Sequence, residues 1–256
     1  GDFNNDGKRD LAVVRVGAVV QNAGSADKGG VVIYLGDGHG GFTKKASYTS
    51  GLAPGAVVAA DFTGDGKTDL AVAHTGAALL LNTEGPSFFG WIYQTTVEIF
   101  RGRGNGTFTR IGVYNVAGDP FDLDVGDLDE DGKPDLVAAC MPYGEDPGKV
   151  SVLLNTGTGT FAVQPPLEVG GHLTSVRLLH LNPGTETGQD SHLDIAVART
   201  TIDADPQTVT SAIVTGLGDG SGGFAYADTK DLGEHGQAWF LALGDFDEDA
   251  KSDLAV

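Results

Sequence analysis

The sequence has one cysteine, one methionine, two tryptophans and only 16 basic residues. A single cysteine excludes an intrachain disulfide framework. Cys140 ends the apolar run Leu136-Val137-Ala138-Ala139 and reads as a small buried hydrophobe, not as a reactive thiol. The shortage of lysine and arginine against 35 acidic residues leaves a net charge of −19, which excludes a nucleic-acid backbone or an anionic membrane surface as partner. No apolar run approaches the roughly 18 to 20 residues of a spanning helix, so membrane insertion is not expected. Any export signal is expected to lie before Gly1. What is abundant is glycine, 40 of 256 residues, about twice ordinary usage. Hydrophobic residues reach 40%, enough for a core, so the acidity is not that of a disordered tail.

The glycine and the acid are organised by an internal repeat. An Asp-rich loop followed by Asp-Leu-Ala-Val or a close relative opens at Asp2, Asp61, Asp127, His180 and Asp245, roughly 60 residues apart. A glycine turn keeps step with it: Gly40-Gly41-Phe42, Gly106-Thr107-Phe108, Gly159-Thr160-Phe161 and Gly222-Gly223-Phe224. Between these landmarks lie short runs rich in Val, Ile, Leu and Phe, bounded by Gly, Asp and Asn, which predict strands and not helices. In the second copy they are 56–60, 70–73, 97–100 and 108–113. The run after each loop, as in Leu11-Ala12-Val13-Val14, is continuously apolar and should be buried on both faces. Four antiparallel strands per repeat, each sheet covered by its neighbours, predict an all-β protein of β-propeller blades. The WD-type blade has a shorter period, and its Gly-His and Trp-Asp dipeptides are missing. The units are approximately 1–52, 53–116, 117–171, 172–235 and 236–256.

Aligned, the loops place oxygen-bearing side chains at alternate positions: Asp2, Asn4, Asp6 and Asp10; Asp61, Thr63, Asp65 and Asp69; Asp127, Asp129, Asp131 and Asp135; Asp245, Asp247, Asp249 and Asp253. A tightly turning loop aims positions 1, 3 and 5 at one centre. A glycine at position 6 permits the reversal that brings in the main-chain carbonyl of position 7 (Lys8, Lys67, Lys133, Lys251) and the carboxylate of position 9. Carboxylates, carbonyls and water suit Ca2+ better than Mg2+ or Zn2+. An EF-hand needs a glutamate at position 12, where Val13, Val72, Ala138 and Val256 stand. The fourth loop is degenerate: His180 replaces the first Asp and an insertion precedes Asp190, leaving Asn182, Asp190 and Asp194 for weak binding or none. Ala250 holds the glycine position of the fifth loop and should strain it. The expectation is about four Ca2+ sites, with a further one weak or absent.

With Asp-Phe-Asn-Asn-Asp-Gly-Lys-Arg-Asp-Leu-Ala-Val, Asp-Leu-Asp-Glu-Asp-Gly-Lys-Pro-Asp-Leu-Val and the Gly-x-Phe turns in view, the chain resembles the FG-GAP or VCBS repeats of integrin-α-like β-propellers over essentially its whole length. The resemblance implies that each loop joins the first and second strands of a blade and that its metal is structural. It also implies an extracellular, cell-surface or periplasmic protein with a glycan or protein ligand. Such propellers usually close with seven blades, so about four blades and a fraction are expected to be a partial arc that can self-associate through exposed blade faces. A closed four-bladed ring would duplicate one loop.

For ligand contacts the longest connection, 76–96, holds Phe88, Phe89, Trp91 and Tyr93, which either cover a blade edge or form an extra hairpin, or else make an aromatic platform for a glycan or partner. Tyr143 and Trp239, with Asp122 and His172, are further candidates near the same face or the central channel. The six histidines make no His-x-x-x-His or His-Glu-x-x-His spacing, and neither a Gly-x-Ser-x-Gly elbow nor a phosphate loop is present. A recognition module is therefore expected and not an enzyme. The alternative is the scaffold or part of a polysaccharide lyase or hydrolase.

Overall fold

The structure is a computed structural model that describes residues 1–17, 29–50, 53–75, 78–80, 90–92, 95–141, 146–181, 192–202, 208–234, 237–248 and 252–256. Among these the chain is all-β, as the short apolar runs predict, and no helix is long and apolar enough to cross a membrane. The strands form successive antiparallel sheets. The first contains β1 (Leu11–Val16), β2 (Gly29–Gly36) and β3 (Phe42–Thr49), in that order. The second contains β4 (Pro54–Ala60), β5 (Asp69–His74), β8 (Thr96–Gly102) and β9 (Phe108–Asn115). Between β5 and β8 a separate hairpin pairs β6 (Ala78–Leu80) with β7 (Gly90–Ile92).

The third sheet runs β10 (Asp119–Gly126), β11 (Asp135–Met141), β12 (Lys149–Gly157), β13 (Thr160–Val163), with β14 (Leu167–Glu168) also pairing with β12. The fourth runs β15 (His172–Leu179), β16 (Asp194–Ile202), β17 (Val209–Gly218), β18 (Phe224–Glu234), and the last pairs β19 (Ala242–Gly244) with β20 (Asp253–Ala255). In the later sheets the Asp-rich loop joins the first strand to the second, and the Gly-x-Phe turns join β8 to β9, β12 to β13 and β17 to β18; in the first sheet the Asp-rich loop precedes β1 and the turn joins β2 to β3. The chain divides into two compact units, Gly1–Pro120 with Thr156–Phe161 and Phe121–Asn155 with Ala162–Val256.

The second strands carry the core because large and small residues alternate on their two faces. Leu70 and Val72 of β5 enter a cluster with Phe3, Val31 and Ile33, and Ala71 and Ala73 are fully buried behind them. In the second unit Ile195 and Val197 of β16 pack with Val137, Val150 and Val152, while Ala196 and Ala198 face Ala238 and Leu241. The Cys140 side chain is buried, its Sγ directed at the Ala138 carbonyl at 3.5 Å. The first copy departs from the expected pattern. Leu11 and Val13 are each 43% exposed, whereas Ala12 and Val14 between them pack on the cluster of Phe3, Val31 and Ile33, so one face of β1 is covered and the other is open.

Sheets within a unit are joined by a repeated aromatic contact. In the first unit the Phe108 ring stands edge-on to Phe3, centroids 5.5 Å apart, and to Tyr48 at 6.1 Å. The Phe108 N–H donates to the Tyr48 hydroxyl at 2.8 Å, and the Gly106 N–H to the Phe3 carbonyl at 2.7 Å. Phe161 repeats this against Phe62 (5.6 Å) and Tyr114 (5.5 Å), its N–H donating to Tyr114 at 3.2 Å. In the second unit the Gly222 N–H donates to the Leu128 carbonyl, and Leu128 and Phe224 share a cluster. Each buried ring is worth about 1.5–3 kcal/mol, and each aromatic pair about 0.5–1.5 kcal/mol more.

Also within the second unit, β15 is capped by side chains along one edge. Asp122 Oδ2 accepts hydrogen bonds from the Ser175 hydroxyl (2.6 Å), the Val176 N–H (3.2 Å) and Arg177 (2.6 Å), and Asp124 accepts from the Leu178 N–H at 2.8 Å. These carboxylates satisfy alternate edge N–H groups that no strand pairs. Burial raises the Asp124 carboxyl above its ordinary range against these hydrogen bonds.

Candidate metal centres

Three loops share one backbone design. The first carboxylate grips the turn with both oxygens: Asp2 accepts from the N–H groups of Asp6 (3.2 Å) and Gly7 (2.8 Å). Asp61 holds Asp65 (3.1 Å) and Gly66 (2.7 Å), and Asp127 holds Asp131 (3.1 Å) and Gly132 (3.0 Å). The carboxylate at position 5 then accepts the N–H of position 7, in Asp6 from Lys8, in Asp65 from Lys67 and in Asp131 from Lys133. Gly7, Gly66 and Gly132 adopt φ of +79°, +77° and +82°, the reversal expected at position 6. Position 4 is left-handed too, in Asn5, Gly64, Glu130 and Glu248. Asn5 and Gly64 carry a signal for that conformation; the glutamates carry none.

The carboxylate at position 9 serves a purpose the loop spacing does not reveal. Asp10, Asp69, Asp135 and Asp194 are all at most 3% exposed. Each accepts two main-chain N–H groups, one from the start of its loop and one from the end of the strand that leads into the Gly-x-Phe turn. Asp10 takes Phe3 (2.7 Å) and Gly36 (2.9 Å); Asp69 takes Thr63 (3.0 Å) and Gly102 (2.7 Å). Asp135 takes Leu128 (2.8 Å) and Asn155 (2.7 Å); Asp194 takes Leu181 (2.7 Å) and Gly218 (3.0 Å). In the last sheet Asp253 holds the Phe246 N–H at 2.7 Å. Burial pushes the Asp135 carboxyl up to about 6, only partly offset by the two N–H donors and reinforced by Asp129 and Asp131. Burial likewise raises Asp69.

Carboxylates converge in two of the loops. One oxygen each from Asp127, Asp129 and Asp135 lie within 4.8 Å of one another, and so do oxygens of Asp245, Asp247 and Asp253. Among the described residues the first two loops bring no such trio of acidic groups together. Asp6 there accepts from Asn4 and faces Lys8 at 4.0 Å, and Asp65 is taken by Arg101 (2.7 Å) and Lys67 (3.3 Å). Hydrogen bonding from Arg101 holds Asp65 below its ordinary range, as Lys133 does for Asp131. Thus Lys8, Lys67 and Lys133, expected to offer carbonyls, also direct their ammonium groups at the position-5 carboxylate.

The donor set of the third loop fits a hard cation. Asp129 Oδ1 is buried with no hydrogen-bond partner, and Thr63 Oγ1, at the same position of the second loop, is in the same condition. A buried carboxylate oxygen without a donor is destabilising until a cation or water reaches it. Asp127, Asp129 and Asp135 are therefore the residues that would hold Ca2+, which accepts six to eight oxygen ligands at 2.3–2.6 Å. The second loop would add a hydroxyl in place of a carboxylate.

Asn182 and Asp190 of the fourth loop and Asp249, Ala250 and Lys251 of the fifth lie outside the described residues, as do Phe88, Phe89, Tyr93 and Tyr143. Trp91 is described in its backbone only, opposite Leu79 in the small hairpin. Trp239 is 54% exposed and its neighbour Phe240 70%. His172 opens β15 opposite Thr200. Sequence reasoning missed a buried polar group on the second sheet: His74 Nε2 lies 3.5 Å from Glu98 Oε2, and Arg110 donates to the other Glu98 oxygen at 2.9 Å. Burial pushes the Glu98 carboxyl up, but His74 and Arg110 outweigh it and hold it low. The signal was a polar residue at the end of the apolar run 70–73 and another inside 97–100.

Residues 2–72 and 88–138 match the family model of the FG-GAP-like repeat. No curated protein matches the sequence.

Proposed function

We propose that this FG-GAP repeat protein is a calcium-stabilised propeller-type recognition module that binds a glycan or protein ligand outside the cytoplasm. The observation that carries the calcium reading is the convergence of Asp127, Asp129 and Asp135 around a carboxylate oxygen that is buried and unpartnered. A second trio, Asp245, Asp247 and Asp253, supports it. Asp2, Asn4 and Asp6, and Asp61, Thr63 and Asp65, are proposed as further ligand sets on the shared loop backbone. Sites of this kind fill where free calcium is high, which favours an extracellular, surface or periplasmic setting.

The binding role is supported by the exposed pair Trp239 and Phe240, since aromatic faces stack on sugars and anchor protein contacts. We assign no catalytic step: the buried carboxylates Asp10, Asp69 and Asp194 are engaged by main-chain donors. Melting curves in millimolar calcium and in chelator test the first half. Calcium should raise the midpoint, and Asp129→Asn should remove most of that rise; identical curves would falsify the structural metal. A glycan array run beside a polysaccharide-turnover assay tests the second half. Retained binding lost on replacing Trp239 and Phe240 by alanine is expected, and turnover without binding would refute it.

A further inference from the structure

The first aromatic contact between sheets uses four rings: Phe3, Phe108, Tyr48 and Phe100, the last two with centroids 6.2 Å apart. Tyr48 is the sixth residue after Phe42 and Tyr114 the sixth after Phe108, and each hydroxyl accepts the N–H of the phenylalanine in the next turn. The sixth residue after Phe161 is Leu167, which offers no oxygen to the Phe224 N–H. Phe100 has a counterpart too. It stands at the bulge of β8, two residues before the Gly102 that donates to Asp69; at the bulge of β17, two residues before the Gly218 that donates to Asp194, stands Gly216. The contact between the third and fourth sheets, which lies wholly inside the second unit, is therefore two rings short of the first.

The shortfall leaves a groove of about 280 Å³. Among the residues that line it, Ile195, Val197 and Val214 are at most 5% exposed, and Leu167 and Gly216 hold the places of the missing rings. Gly216 lacks the positive φ that calls for glycine, and a Cβ on it would come no nearer than 3.3 Å to a neighbour, so what the small residue provides is space. Phe224 adjoins the groove, 3.6 Å from that Cβ, and is half-buried where Phe108 and Phe161 are buried. Tyr226 also lines it, an exposed ring whose hydroxyl is paired with that of Thr229.

We propose that this groove takes the tyrosine side chain of a partner protein, whose hydroxyl accepts the Phe224 N–H as Tyr48 and Tyr114 accept those of Phe108 and Phe161. The occupant is a tyrosine because a tyrosine fills the same place in both complete contacts. A groove below the roughly 300–1,000 Å³ of drug-sized pockets suits one ring and not a run of sugars. Glu168 is the charged residue of the lining; its side chain is 69% exposed and lies 3.8 Å from Lys149. A basic residue beside the partner's tyrosine would therefore strengthen binding. Trp239 and Phe240 do not line the groove, so this site stands apart from the binding surface proposed above.

Titration with the peptide acetyl-Lys-Tyr-Lys-amide, followed in ¹H–¹⁵N spectra, tests this. Amides of Thr215, Gly216 and Phe224 should shift saturably, and the same peptide with phenylalanine for tyrosine should bind about fivefold more weakly, the loss expected for one hydrogen bond. Leu167→Tyr restores a ring from within: it should melt at or above the wild type and leave the peptide unbound. Tyr226→Ser, at an exposed position, should melt with the wild type and bind severalfold more weakly. Trp239→Ala with Phe240→Ala should bind as the wild type does. Shifts absent at several millimolar peptide, equal binding of the phenylalanine peptide, or undiminished binding by Leu167→Tyr or Tyr226→Ser overturns the proposal. So does para-cresol binding as tightly as the peptide, which would mark a site for small phenols, or cellohexaose moving the same amides, which would mark a glycan site.

Discussion

Replacing Asp194 by asparagine isolates what the position-9 carboxylate does, because its loop begins with His180 and lacks the first carboxylate of the others. The Asp194 side chain is 3% exposed and ties two distant segments together, the Leu181 N–H at 2.7 Å and the Gly218 N–H at 3.0 Å. An amide offers one acceptor oxygen; its NH2 would point at the second N–H. The substitution therefore loses one charge-assisted hydrogen bond and strands one buried donor, each a matter of about 1–3 kcal/mol. Together they should lower stability by about 2–4 kcal/mol. In a chain of this size that is a fall of roughly 5–15 °C in the melting midpoint. Thermal melts followed by circular dichroism should show the same loss in calcium and in chelator. Asp129→Asn provides the contrast, because Asp129 Oδ1 has no donor to lose: it should match the wild type in chelator and fall behind only in calcium. An Asp194→Asn protein that melts within about 2 °C of the wild type, or whose deficit calcium restores, would refute the clamp.

Two further outcomes follow from the same contacts. The Asp124 carboxyl is raised by burial, so its contribution to stability is fully present below its unfolded range and is lost as pH rises through its folded value. Asp124→Asn, whose amide oxygen can still take the Leu178 N–H, should then melt above the wild type at neutral pH and level with it in acid; a pH-independent difference in urea midpoints would contradict this. Tyr48→Phe leaves the ring against Phe108 but strands the Phe108 N–H, now 2.8 Å from the hydroxyl, and should cost about 1–2 kcal/mol. Urea denaturation with no change in midpoint would show that water replaces the hydroxyl.

Local sequence carried the strands and the loop turns because both are set by near neighbours. An apolar run such as Leu70-Ala71-Val72-Ala73 can be satisfied only between two covering layers, and Gly66 between Asp65 and Lys67 marks a reversal that other residues resist. The candidate site was less legible because its competitors come from far along the chain. Arg101, on β8, takes the Asp65 carboxylate. Gly36, Gly102 and Gly218, at the ends of the strands that lead into the glycine turns, make the position-9 aspartates into tethers. Alternation within a loop identifies which side chains carry oxygen and not which donors will reach them first. Leu11 and Val13 failed for a related reason: their run has the composition of a strand covered on both faces, but whether a second layer covers the outer face is not written in the run itself. The tyrosines at 48 and 114 were in step with the turns they receive, a third periodic marker visible in the sequence once its purpose is known.

The aromatic contact between sheets also has a direction in time. Phe3 and Tyr48 precede Phe108, and Phe62 and Tyr114 precede Phe161. A chain emerging from the ribosome therefore completes each socket before the ring that fills it has been made. Every new repeat meets a finished template behind it and leaves another ahead, so assembly advances one sheet at a time with nearest-neighbour gains. A substitution at a socket would stall the repeats that come after it, whereas one at a ring would leave those already made intact.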